Sequence, residues 1–169
     1  MSARLRAAGL HQEWAPDSFF TDIAELEALR AQEKRPEAKA IYASILAEIY
    51  ENNRRRAQAS RLQLESEDMK EWTREQYDSA AIKNWQLSLV DIPALGAAKS
   101  KDWLPFVVQA SHSSYFNHDL LHILWQRARD QHRDIWRDGV DGTAIKTEYQ
   151  RQGNREAKLL MDLDLIRLA

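Results

Sequence analysis

No cysteine occurs anywhere in the 169 residues, so disulfide cross-links, thiolate metal sites and a cysteine nucleophile are excluded. Glycine and proline are scarce, at five and four. The residues that most often interrupt helices are therefore few. The chain is instead rich in Ala, Leu, Glu, Gln, Arg and Lys, which lose least free energy in a helix. No apolar run approaches the length of about eighteen residues needed to cross a bilayer, and Met1 to Leu10 lack the apolar segment of a secretory signal. A cytoplasmic location is the simplest expectation. Also missing are a phosphate-binding loop, a Gly-x-Ser-x-Gly elbow and a dinucleotide fingerprint, and no convergent catalytic set stands in their place. Neither sign of charge dominates: the formal net charge is −2, so any attraction to nucleic acid must be local. No cofactor is expected.

Hydrophobic residues make up 44% and charged residues 30%, the balance of a chain that folds around a core and covers itself with polar helix faces. Periodicity predicts an all-α, single-domain bundle of five to seven mainly antiparallel helices over residues 16–169, preceded by an N-terminal arm over 1–15. Pro16 and Asp17 open the first helix, whose stripe runs through Phe19, Phe20, Ile23, Leu26 and Leu29 before Pro36 forbids its continuation. Pro36 then opens a long helix carrying Ile41, Tyr42, Ile45, Leu46, Ile49 and Tyr50 on one face. Beyond Tyr50 that face becomes Asn53, Arg56 and Ser60. The expectation is a helix continuing to about Leu64, roughly 45 Å long, whose second half projects and is covered by something outside the core.

Thr73-Arg74-Glu75-Gln76 has the form of a capping box inside a helical stretch over about 67–90, itself capped by Ser66. A linker is predicted over Ala94 to Ser100 and a short helix over Lys101 to Gln109. Asn117 is the expected cap of a helix whose seam passes through Leu121, Leu124, Trp125, Ala128, His132, Ile135 and Trp136, stopped by Gly139. Thr143 is the expected cap of the last helical region, which Gly153 splits. Six tryptophans, at 14, 72, 85, 103, 125 and 136, supply bulk to the core and anchors for a partner.

Three sets of residues bear on chemistry. His118 and His122, four apart, lie about 40° from each other on a helix, where two imidazoles meet one metal, with His112 approaching from the preceding segment. No acidic partner of the di-iron or zinc-protease kind accompanies them, so they also read as polar residues of a helix start. Arginines cluster twice, as Arg54, Arg55, Arg56 and Arg61 and as Arg129 and Arg133 with Arg127 and Arg137. A face gathering both sets would bind phosphates. Asp130, Asp134 and Asp138 neutralise the second set along its own helix.

The segment Arg127-Ala128-Arg129-Asp130-Gln131-His132 resembles the Arg-x(4–6)-His motif of HEPN ribonucleases, which are all-α proteins. The resemblance implies a metal-independent RNA-cleaving site built from Arg127 and His132, completed across a dimer. It covers this hexapeptide alone, and Ala128 stands where the family commonly has a polar residue. On a regular helix the two side chains diverge by about 140°, which places His132 at the edge of the core and Arg127 in solvent. The expected function is therefore a non-catalytic helical subunit or adaptor docking in a larger protein or nucleoprotein assembly, through other subunits, self-association or nucleic acid. A HEPN-like ribonuclease and a histidine-ligated metal-binding bundle are the alternatives.

Overall fold

The computed structural model describes residues 16–57, 66–103, 119–132 and 139–168. These residues form an all-α helical bundle of seven α-helices: α1 (Pro16–Gln32), α2 (Pro36–Arg56), α3 (Arg74–Ser88), α4 (Ile92–Ala97), α5 (Leu120–Gln131), α6 (Gly142–Arg151) and α7 (Arg155–Leu168). Two short 3-10 turns, Met69–Glu71 and Ser100–Trp103, join them. Among the described residues there is no strand, and the one isolated bridge pairs Lys99 with Asp119.

The first turn between helices follows from Glu33. Its carboxylate accepts the backbone N–H groups of Lys34 and Arg35 and the Arg35 guanidinium, which holds its acid down to about 2. Pro36 at the start of α2 needs no donor of its own. The bend lays α1 back on α2.

α2 is enclosed nearly all round. Ala40, Ile41 and Ala47 join one apolar cluster with Trp85 of α3 and Leu89 at its C-cap, Leu95 of α4, Leu121 and Trp125 of α5, Tyr149 of α6 and Met161 of α7. Tyr42, Leu46 and Tyr50 turn into a second cluster with Ile23 and Leu26 of α1 and Tyr77 and Ala81 of α3. The small residues Ala38, Ala43, Ser44 and Ala47 are also buried and let neighbours approach α2 on the sides that the predicted stripe left to solvent. A stripe read from large residues alone missed them. Trp72 caps the second cluster, stacked 5.9 Å from Tyr50 and edge-on 5.3 Å from Tyr77.

Several boundaries differ from expectation. α2 ends at Arg56, not near Leu64: Ala57 adopts an extended backbone with ψ of 135°, closing the helix by an N–H bond to Asn53. The expected projection is not seen in the described part, because Glu51 is buried and Arg54 pairs with Asp78 of α3. Residues 58–65, including Arg61, lie outside the described residues. The stretch 67–90 divides into a 3-10 turn capped by Asp68 and α3 capped by Thr73. The predicted linker is helical over Ile92–Ala97, because the Asp91 carboxylate accepts Ala94 N–H and Pro93 sits in the first turn. At Gly96 the side chains of Gln152 and Glu148 come close, and an added Cβ would make the end of the Gln152 side chain move aside.

Asp119, not Asn117, caps α5, and Asp141, not Thr143, caps α6; each offers a carboxylate to first-turn amides. α5 stops at Gln131, with His132 extended at its C-cap; Ile135 and Trp136 of the expected seam lie outside the described residues. Of the expected helix from Lys101 to Gln109, only the 3-10 turn as far as Trp103 is described. Gly153, with φ of +70°, separates α6 from α7 as expected. The arm 1–15, the histidines at 112 and 118, and Arg133 also lie outside the described residues.

The Thr73 box is complete, with Gln76 N–H donating to Thr73 Oγ1 at 3.2 Å and Thr73 N–H donating to Gln76 Oε1 at 3.1 Å. Replacing Thr73 with Ala should cost about 1 kcal/mol in urea unfolding, whereas Thr73→Ser should cost less than half of that. Equal losses would show that the hydroxyl cap contributes nothing.

Candidate functional site

The late part of α2 carries a glutamate that has almost no access to water. Glu51 is 1% exposed, a position where an isolated carboxylate would be neutralised or expelled. It is retained because Arg54, one turn on, donates from Nη2 to Glu51 Oε1 at 2.5 Å. The same guanidinium reaches Asp78 Oδ1 of α3 from Nη1 at 3.2 Å. Arg54 therefore bridges two carboxylates from two helices. On the other side of Glu51, His132 at the C-cap of α5 places Nδ1 3.9 Å from Glu51 Oε2. One donor atom each from Glu51, Asp78 and His132 falls within 4.8 Å of the other two. Glu51 Oε2 receives no hydrogen bond from the described residues.

One turn earlier on α2, Glu48 forms an ion pair with Arg127 of α5. The two residues of the HEPN-like hexapeptide are thus both directed at α2, Arg127 to Glu48 and His132 to Glu51. His132 lies at the core edge as expected, but the expected solvated Arg127 is tied to a neighbouring helix. The arginine set also divides. Arg54 is engaged internally, Arg55 is exposed, and Arg129 pairs with Asp130 at 2.8 Å while its guanidinium lies 5.3 Å over the Trp125 ring. The side chain of Arg56, with Arg61 and Arg133, falls outside what is described. Of the metal-candidate histidines, His122 is buried in the first turn of α5, with its ring 5.3 Å from Trp125.

A second buried acid stands apart from this cluster. Asp119 accepts His122 N–H at 2.7 Å and Tyr149 O–H at 3.3 Å. Burial nevertheless raises its pKa to about 6, against the lowering effect of those bonds and with a smaller contribution from nearby Glu148. Tyr149 is itself pushed far up by burial and by Asp119.

A different kind of feature occupies α7. Ala157, Met161 and Leu165 face the core. On the opposite side, Leu159, Leu163 and Ile166 are 61%, 45% and 72% exposed. The seam of Leu159, Leu163 and Ile166, spaced four and three residues apart, follows the a/d spacing of a coiled coil. Lys158 and Asp162 border it; Asp162 is held by Lys158 at 3.3 Å and by Lys146 of α6. Among the described residues, no helix is long and apolar enough to cross a membrane.

Sequence reasoning isolated His132 and Arg54 but missed Glu51 and Asp78, which share no local motif with them. The one available signal was a glutamate interrupting the buried side of α2. Protein families, curated proteins and solved structures were compared with the chain, and none matches.

Two outcomes follow from these charges. Arg54→Ala leaves Glu51 buried without its counter-charge and should cost about 3 kcal/mol, the lower end for a buried pair because Arg54 is partly exposed. Arg55→Ala should stay within about 0.5 kcal/mol. Parallel urea titrations check this, and equal effects would contradict it. For Asp119, the folded-state pKa lies above the usual carboxylate value, so the folded protein binds the extra proton. Its contribution is most favourable at low pH and is lost as pH rises from about 4 to about 6, a change of up to about 3 kcal/mol. Asp119→Asn keeps a capping oxygen and should raise the melting temperature at pH 7.5, with the difference vanishing near pH 4. A variant less stable at both pH values would refute this sign.

Proposed function

We propose that this chain is a helical subunit or adaptor that docks onto another protein through the outer seam of α7. The observation that carries this reading is the row Leu159, Leu163 and Ile166, exposed on a helix whose opposite face is already packed. Scattered apolar residues on a surface mean little, but a row at heptad spacing is organised for one kind of contact. The seam is one residue wide and about two turns long, about 11 Å at 1.5 Å per residue. That form suits an amphipathic helix with apolar residues at matching spacing, laid along α7. A flat sheet or a broad globular face would require a wider patch.

The projecting helix that first suggested an adaptor does not support it as far as Arg56, since those residues pack internally. The reading rests on α7 instead. A photo-reactive residue at position 163, introduced in the cell of origin, should capture one defined polypeptide that mass spectrometry identifies. The same probe at exposed Lys83 should not. Leu159→Glu with Ile166→Glu should abolish capture while leaving the melting temperature within about 2 °C, because exposed side chains contribute little to folding. Equal adducts at both positions, or capture unaffected by the double substitution, would overturn the docking surface. Capture of a second copy would identify the partner as this chain itself.

A further inference from the structure

We propose that Glu51, Asp78 and His132 form a binding site for a single divalent transition-metal ion of the zinc and manganese type. The three residues come from α2, α3 and the C-cap of α5, and the helix packing brings their donor atoms within 4.8 Å of one another. His132 Nδ1 already lies 3.9 Å from Glu51 Oε2. A metal holding both at bond lengths of about 2.0–2.2 Å would need them about 3.0–3.5 Å apart. For this pair the required closure is under about an ångström, and for donor atoms up to 4.8 Å apart it is under about 2 Å, within reach of the rotation of the His132 and Asp78 side chains.

The disposition of Arg54 separates this cluster from an ordinary ion pair. Its guanidinium holds Glu51 through Oε1, so the second oxygen, Oε2, is left on the side facing His132, buried and without a hydrogen bond from the described residues. A carboxylate oxygen that has lost its water and gained no donor is costly. A cation at that point removes the cost. Arg54 then acts as an outer partner that orients the two carboxylates, as ligating carboxylates generally require. Glu51 and Asp78 as anions with Arg54 as a cation leave the cluster one negative charge, so a divalent ion is drawn in without building a large excess of charge.

The donor set selects among metals. One imidazole nitrogen and two carboxylate oxygens suit zinc, manganese or iron in the divalent state; magnesium prefers oxygen alone and keeps its waters. Three protein ligands leave at least one coordination position for water. Asp78 is about a third exposed, which gives that position a route to solvent. The site is separate from the α7 seam, so either proposal can fail without the other.

The test uses the full chain, freed of metal by chelation and dialysis, and titrated calorimetrically with Zn2+ and, separately, Mn2+, with Mg2+ as the control. One equivalent of Zn2+ or Mn2+ should bind, the melting temperature should rise with metal, and Mg2+ should do neither. His132→Gln and Asp78→Asn should each weaken binding by about tenfold or more while keeping the metal-free circular dichroism spectrum. Replacing Zn2+ with Co2+ should give a visible ligand-field band that both variants lose. His118→Ala should bind as the parent does. No binding by the folded parent, or binding that survives both variants and disappears in His118→Ala, would overturn the site.

Discussion

Glu51 is the constraint around which the other contacts are arranged. α2 has neighbours on nearly every side, and its burial brings the large apolar gain that forms two clusters on one helix. The same burial takes a carboxylate out of water, where only pairing makes it tolerable. Arg54 must therefore turn inward, Asp78 of α3 shares that arginine, and the extended C-cap of α5 brings His132 to the remaining side. The place where α3 and α5 meet the end of α2 is thus set by charge as well as by apolar fit. Glu48 and Arg127 repeat the pattern one turn earlier, joining α2 to α5.

Local chemistry made part of the fold legible in advance. The Thr73 and Gln76 box, Pro36 at a first turn and Gly153 at a break are each decided within four residues, and each appears where the residues themselves demand it. Boundaries set by longer-range packing were not legible. Asp91, Asp119 and Asp141 all cap helices, yet Asn117 and Thr143 were equally good caps by residue type; what separates them is where the chain enters the bundle. The end of α2 at Arg56 likewise has no glycine or proline to announce it.

The candidate site was less legible than the fold for the same reason. His132 and Arg54 stood out as residue types, but Glu51 sat within a helix as one acid among many. Its meaning comes from Ala38, Ala43, Ser44 and Ala47, whose small side chains let other helices close over α2. Burial converts an ordinary surface glutamate into a group that needs partners. The outer face of α7 presents the reverse case. Leu159, Leu163 and Ile166 share α7 with Ala157 and Met161, and only the placement of Met161 and Ala157 against the core shows that the helix has two apolar sides, one of them uncovered.

The central claim is that the polar end of α2 is an internal, charge-paired part of the bundle. Native-state hydrogen exchange on the monomeric chain tests it most directly, at the amides from Tyr50 to Arg54. These should exchange as slowly as Leu46, only through global unfolding, because Glu51 and its partners hold the helix closed. Rapid exchange from Glu51 onward, with Leu46 still protected in the same monomer, would show a frayed end and contradict the account.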